Sequence, residues 1–234
     1  MKNLNYNYFK KGKLFVIAEI GHNHQGSVET AKKLILKAKE SGANAVKFQK
    51  RSNKNLYTKE FFDKPYDHPN SFAKTYGLHR EFLELNFKQY KELQNYAKKL
   101  DIIFFATPFD FESVDFLEKL GTPCYKIASG DLTNIPLQKY IAKKRKVIFL
   151  STGGGNFKDI LRAYKNIIKI NKKLIILHCT ASYPAKIEDM NLNIITEIKK
   201  KFKSMPVGLS DHETGIDAAS VAYMLGARTF EKHF

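Results

Sequence analysis

The chain has 234 residues, 43% hydrophobic and 13% aromatic, with 40 Lys and Arg against 23 Asp and Glu and a net charge of +17. That length buries a sizeable core, and the apolar content excludes a disordered chain. No run approaches the ~18 apolar residues of a membrane-spanning helix, and the opening MKNLNYNYFKKGK lacks the apolar stretch of a secretory signal.

The elements follow in chain order. Residues 1–13 read as an N-terminal extension, a short plug or hairpin beneath the main body. LFVIAEI (14–20) is the first predicted strand, and VETAKKLILKAKESG a helix with Ser27 as N-cap. AVKFQ (45–49) is the second strand. Residues 50–86 form a long, irregular insertion rich in Tyr, Phe, Asn and Pro, the composition of a substrate lid rather than a disordered loop. A helix at 87–100 precedes the strand IIFFAT (102–107). The helix FESVDFLEKLG ends at Gly121 and is followed by the strand CYKIAS (124–129). Next come the strand VIFLST (147–152), the helix NFKDILRAYKNIIKI and the strand LIILHC (174–179). The helix MNLNIITEIKKKFK, the strand PVGLSD (206–211), the helix GIDAASVAYMLG and the strand TFEKHF (229–234) complete the series.

Eight short, nearly continuous apolar strands fit a parallel sheet buried on both faces. Intervening helices imply right-handed crossovers, and eight strands close a (β/α)8 TIM barrel spanning 14–234. The rival is an open doubly wound sheet, but the first turn, EIGHNHQGS, is not G-x-G-x-x-G. The lysines are scattered through helix-like segments, with no basic run joined to a row of aromatics. A solvated lysine-rich surface is therefore expected rather than a nucleic-acid partner. Cys124 and Cys179 lie in apolar runs and read as reduced core residues, which suits a cytoplasmic protein.

In such a barrel the site forms at the C-terminal ends of the strands, and here those ends are polar. Lys47 and Lys126 with Thr107, Ser129, Ser151 and Ser210 are the residue types of an anion cradle. His212 and His233 come from neighbouring strands and suit a divalent metal acting as a Lewis acid. Glu19 is a carboxylate suited to proton transfer. Each has a plainer reading. One histidine at a strand end is more often a hydrogen-bonded structural residue, as expected of His24 and His178, and an interior lysine needs only a paired carboxylate. The glycines at 153–155 form either a phosphate-cradling turn or a strand exit.

Taken in order, FVIAEIGHNHQGS, AVKFQK, NSFAKTYGLHREFLEL, FFATPFD, YKIASGDLTNIPL, FLSTGGG, LHCTASYPA, VGLSDHETG and FEKHF resemble the sialic acid synthase family, with its pseudaminic, legionaminic and spore-coat polysaccharide relatives. The resemblance runs from about residue 14 to the last residue, and LSDH followed by EKHF is its sharpest part. It implies a barrel that condenses phosphoenolpyruvate with the open-chain aldehyde of an N-acylated amino sugar. The product is a nine-carbon 2-keto sugar acid, and phosphate leaves by C–O cleavage. It further implies a manganese or magnesium ion on His212 and His233, and phosphoenolpyruvate held by Lys47, Thr107, Lys126, Ser129, Ser151 and Ser210. Gln49, Asp131 and Tyr183 would face the sugar, with Glu19 handling the proton. A cytoplasmic homodimer of the full-length form is also implied.

This chain departs from the family pattern at Asp131, where some members carry Glu, at Ala181, often polar, and at Leu78, often Glu. Family members also continue past KHF with a loop, a final helix and a small antifreeze-like domain. The expectation is therefore a barrel lacking its last helix, from a shortened gene product or incomplete reading frame, poorly soluble or weakly active alone. Two other readings stay open: a non-catalytic or polyanion-binding barrel, and an aldolase using Lys126 as a Schiff base.

Overall fold

The computed structural model describes residues 4–234. Strands alternate with helices in the order α1 (Tyr6–Lys10), β1 (Phe15–Gly21), α2 (Val28–Glu40), β2 (Ala45–Lys50), α3 (Asn53–Leu56), α4 (Lys59–Asp63), α5 (Tyr76–Leu83) and α6 (Phe87–Lys99). The series continues with β3 (Ile103–Pro108), α7 (Phe111–Leu120), β4 (Cys124–Ile127), α8 (Ile135–Lys143), β5 (Val147–Ser151), α9 (Phe157–Ile168), β6 (Leu174–Cys179), α10 (Ile194–Lys201), β7 (Val207–Asp211), α11 (Asp217–Met224) and β8 (Thr229–His233).

All ladders are parallel, in the order β3-β2-β1-β8-β7-β6-β5-β4. β3 and β4 lie side by side without a paired ladder, so the expected barrel forms with one unzipped seam. Local chemistry sets the helix ends as the sequence suggested. Ser27 Oγ accepts from the Thr30 amide at 3.2 Å, and Gly121 stops α7 in the left-handed region at φ 80°, where a side chain is costly.

Strand alternation sorts the residues into two cores. Outward side chains such as Val46, Phe48, Phe104, Ile148, Leu150, Ile176 and Leu209 pack against the helices. Inward ones, among them Phe15, Ile17, Ala45, Phe105, Phe149, Ile175 and Leu177, fill the barrel floor. α1 seals that floor from below: Phe9 stacks edge-on against Phe15 and Phe149, and Tyr6 Oη donates to the Leu174 carbonyl at 2.9 Å. The extension is thus a helical plug and not a hairpin, with residues 1–3 outside the described part.

Two further elements differ from the sequence reading. α8 fills the connection between β4 and β5, where no helix was expected. The insertion at 50–86 is not irregular throughout. It folds into α3, α4 and α5, with Thr58 and Thr75 accepting from the Phe61 and Leu78 amides at the starts of α4 and α5.

Gly208 marks how tightly the interior is filled. A Cβ there would lie 2.1 Å from the Thr229 carbonyl oxygen and 2.7 Å from a Leu177 methyl. Gly208→Ala is therefore expected to lower stability by about 1–3 kcal/mol through overpacking, read as a lower midpoint in chemical denaturation.

Candidate functional site

Above the apolar floor, the same inward positions turn polar. β1 continues from Ile17 to Glu19, β2 from Ala45 to Lys47, and β4 from Cys124 to Lys126. On β8, Glu231 and His233 share a face, as do Ser210 and His212 at the end of β7. These residues line a cavity of about 380 Å³ at the C-terminal mouth of the barrel.

Its centre is a buried cluster of four charges. Lys47 Nζ lies 2.6 Å from Glu19 Oε2 and 2.9 Å from Thr107 Oγ1. Lys126 Nζ lies 2.9 Å from Glu231 Oε1, which also accepts from Ser210 Oγ at 3.1 Å and stands 3.8 Å from Lys47. Glu19, Lys47, Lys126 and Glu231 are all at most 5% exposed. Burial alone would push the Glu231 carboxyl up, but Lys126 and Lys47 outweigh it and hold that carboxyl well below the usual carboxylate range. The lysines are thus not bare cations: each has the paired carboxylate that a purely structural reading requires. Yet Glu231 Oε2 and Ser151 Oγ remain buried and unpartnered at the cavity wall. Such orphaned groups are rare in a purely structural core.

Gln49 sits one inward step above Lys47. Its amide donates to Glu19 Oε1 at 2.8 Å and its carbonyl accepts from Arg51 Nη2 at 2.8 Å, which fixes its orientation. Ser129 lines the cavity from the turn after β4 and accepts from the Gly153 amide at 3.1 Å. Asp131 stands outside the cavity wall, its carboxylate accepting from Asn134 Nδ2 at 3.0 Å. Tyr183, 69% exposed, lies against His212 with ring centroids 4.0 Å apart.

The imidazoles of His212 and His233 approach to 5.5 Å between centroids. His212 Nδ1 donates to the Thr180 carbonyl at 2.8 Å, leaving Nε2 as the free donor atom, the arrangement usual for a metal-ligating histidine. Strand register brings the pair together. Lys232, between Glu231 and His233, points outward and binds Asp211 Oδ2 at 2.6 Å, clasping the ends of β7 and β8. Among the described residues no cluster of three or more His, Cys, Asp or Glu could hold a metal. The pair fits an ion that takes its remaining ligands from substrate and water, and does not fit a closed structural site.

Arg51, Arg80 and Phe109 also line the cavity and were missed from sequence; Glu231 lines it too, a polar tip of the last strand to which the sequence assigned no role. Glu231 had a signal, its period-2 spacing from His233. His24 and His178 are structural, as expected. His24 packs on Phe48 at 5.7 Å and its Nδ1 accepts from the Gly26 amide at 3.0 Å. His178 Nε2 meets the Met190 carbonyl at 2.6 Å.

Comparisons with known proteins show the family of the chain. The model of the NeuB family matches residues 34–234. The chain is 41% identical over 219 residues to N-acetylneuraminate-9-phosphate synthase of Mus musculus, covering 94% of this chain and 61% of that protein. It is 43% identical over 226 residues to N,N'-diacetyllegionaminic acid synthase of Campylobacter jejuni, covering 95% and 67%. Among solved structures, N-acetylneuraminic acid synthetase of Leptospira borgpetersenii superposes with a TM-score of 0.83 at 33% identity, covering 95% of this chain and 73% of that one. The chain thus spans about three fifths of the mouse relative's length.

Two outcomes follow from the charge arrangement. Lys126→Met should destabilise the fold by about 3–5 kcal/mol, because Glu231 then loses its nearest cation, and adding Glu231→Gln should recover a large part of that loss. Denaturation midpoints of the single and double variants check this. Burial lowers both His22 and His24 to about 4 from the ordinary 6.5. The unfolded chain therefore binds more protons between those values, and stability should fall as pH drops from about 6.5 to 4. His24→Gln should flatten that slope in urea melts.

Proposed function

Because the chain belongs to the NeuB family, we propose that it condenses phosphoenolpyruvate with the aldehyde of an N-acylated amino sugar and releases phosphate. The observation that carries the reading is the juxtaposition of the buried Glu19–Lys47 and Glu231–Lys126 pairs with two imidazoles 5.5 Å apart at one barrel mouth.

Phosphoenolpyruvate lies across Lys47, Lys126, Thr107, Ser129, Ser151 and Ser210. Its phosphate and carboxylate compete with Glu19 and Glu231 for the ammonium groups, and the unpartnered Ser151 hydroxyl is a ready donor. His212 and His233 are the residues that would hold manganese or magnesium, and such an ion supplies Lewis-acid polarisation of the aldehyde oxygen. Carbon 3 of phosphoenolpyruvate forms a bond to the aldehyde carbon while the carbonyl π pair moves onto oxygen, leaving carbon 2 electron-poor and an alkoxide that takes up the proton water gives to Glu19. Water adds at carbon 2, and the bond from carbon 2 to the phosphate oxygen breaks as the new hydroxyl passes its proton to the departing phosphate and becomes the ketone. Glu19, pinned by Lys47 and Gln49, is placed to take the proton that water loses. Glu231 between the two lysines steadies the positive charge developing at carbon 2. Tyr183 and Gln49 border the sugar's part of the cavity. The family resemblance extends this reading to a homodimer, and two buried free cysteines suit the reducing cytoplasm.

The test is release of inorganic phosphate when phosphoenolpyruvate, manganese and N-acetylmannosamine or its phosphate are mixed with the chain. Lys126→Gln should weaken phosphoenolpyruvate binding about ten-fold or more, and His233→Ala should abolish turnover. A polyanion-binding barrel would instead show steep salt dependence and indifference to both substitutions. Borohydride trapping of Lys126 with a keto acid would replace the scheme with Schiff-base chemistry.

A further inference from the structure

The net charge is not spread evenly over the barrel. In this fold the last turn of each helix, with its link into the next strand, lies at the end opposite the mouth. Those segments are 7–14, 37–44, 96–102, 117–123, 140–146, 165–173, 198–206 and 221–228. Together they hold 21 Lys and Arg against 3 Asp and Glu, while the rest of the chain has 19 against 20. The floor end thus carries the whole positive excess of the chain, and the mouth and flanks are balanced. A cation in the last turn complements a helix dipole, but one per helix serves that purpose. The segments that end α8, α9 and α10 carry four each.

The face is open and largely free of counter-charge. Two of its carboxylates are taken, Glu40 by Lys37 at 2.7 Å and Glu118 by Lys146 at 2.8 Å. Among the described residues, Lys10, Lys11, Lys13, Lys169, Lys172 and Lys203 are exposed and enter no ion pair. Lys10, Lys172 and Lys173 border one depression of about 440 Å³, with Asn7 and Ser204 beside them. Apolar side chains project at the same end. Leu14, 48% exposed, precedes β1, and Met224, 83% exposed, ends α11.

We propose that this end of the barrel docks on a membrane surface rich in anionic phospholipids, with the mouth turned to solvent. The chemistry favours headgroups over nucleic acid. All but two of the 21 cations are Lys, compact charges suited to a diffuse layer of phosphates. Of the two arginines, Arg228 is spent on its own chain, donating to the Tyr223 and Ala227 carbonyls at 2.8 and 2.7 Å. Bidentate recognition of single phosphates is therefore scarce. Leu14 and Met224 give the face apolar points that enter the headgroup boundary of a bilayer. The phosphate backbone of a duplex offers them nothing. No residue of the barrel mouth takes part, so the inference stands apart from the synthase reading.

The experiment is cosedimentation of the chain with vesicles of phosphatidylcholine alone and of phosphatidylcholine mixed with phosphatidylglycerol. The mixed vesicles should bind about ten-fold tighter or more at low salt, and high salt should release the chain. Lys10→Glu, Lys11→Glu, Lys172→Glu and Lys203→Glu together should remove most of that binding. Lys54→Glu, Lys59→Glu, Lys64→Glu and Lys74→Glu, in the insertion at the mouth end, change the net charge equally. They should leave binding within about two-fold. If circular dichroism shows the first set unfolded, Lys143→Glu, Lys169→Glu and Lys201→Glu, at the ends of α8, α9 and α10, take its place. Equal binding to the two kinds of vesicle overturns the inference, and so does an equal loss in the floor and mouth variants. A short duplex DNA that displaces mixed vesicles at matched phosphate concentration overturns it too, in favour of a nucleic-acid partner.

Discussion

Two carboxylates and two ammonium groups share the interior of a ring of strands, and their mutual attraction constrains the rest of the molecule. Removing four charges from water costs several kcal/mol per ion, which is offset only when each sits against an opposite charge at hydrogen-bond distance. Glu19–Lys47 at 2.6 Å and Lys126–Glu231 at 2.9 Å meet that condition. The four residues come from β1, β2, β4 and β8, so register must be right in several strands at once. A one-residue slip in any of them would carry a charge into the apolar layer between strand and helix. The apolar floor of Phe15, Phe105 and Phe149 beneath the cluster, with α1 as its seal, keeps water out from below. Strong electrostatics are thereby confined to one open side.

The same alternation that buries charges inward sends other side chains outward to hold the mouth. Asp211 and Lys232 lie opposite each other across β7 and β8, and their ion pair fixes the two strand ends from which His212 and His233 project. Tyr183 then covers one imidazole with its ring. The cluster is formally neutral as it stands, with two positive and two negative groups. On the synthase reading, phosphoenolpyruvate would be accommodated by redistributing hydrogen bonds, not by neutralising a pre-existing positive well. The orphaned Ser151 hydroxyl is a donor that need not break any existing bond to join in.

Much of this was legible in the sequence, because a parallel strand buried on both faces writes itself as a short apolar run. A polar residue at the end of such a run is conspicuous. All eight strands, the polar tips at Glu19, Lys47, Lys126, His212 and His233, and the Ser27 cap were readable on that basis. What stayed hidden depended on direction and partnership. Nothing in CYKIAS says which carboxylate will face Lys126, so Glu231, visible as a polar tip two residues before His233, had no role assigned. Asp131 looked like a mouth residue by position, but the turn at Ser129–Asp131 and the Asn134 contact hold it outside the cavity wall. The three insertion helices have 4, 5 and 8 residues, too short for a periodic pattern, so the route by which Arg80 reaches the cavity was invisible.

The gap in the ring between β3 and β4 has its own meaning. Thr107 and Lys47 belong to the bank that runs back through β2 and β1, while Lys126 and Ser129 begin the other bank, which runs through β5, β6 and β7. The two meet only at β8, on the far wall, where Glu231 touches lysines from both. The cylinder is thus a split collar rather than a sealed pipe. Small changes in its girth cost no backbone hydrogen bond, and they move the two ammonium groups relative to each other while the imidazoles, on the unbroken side, keep their spacing.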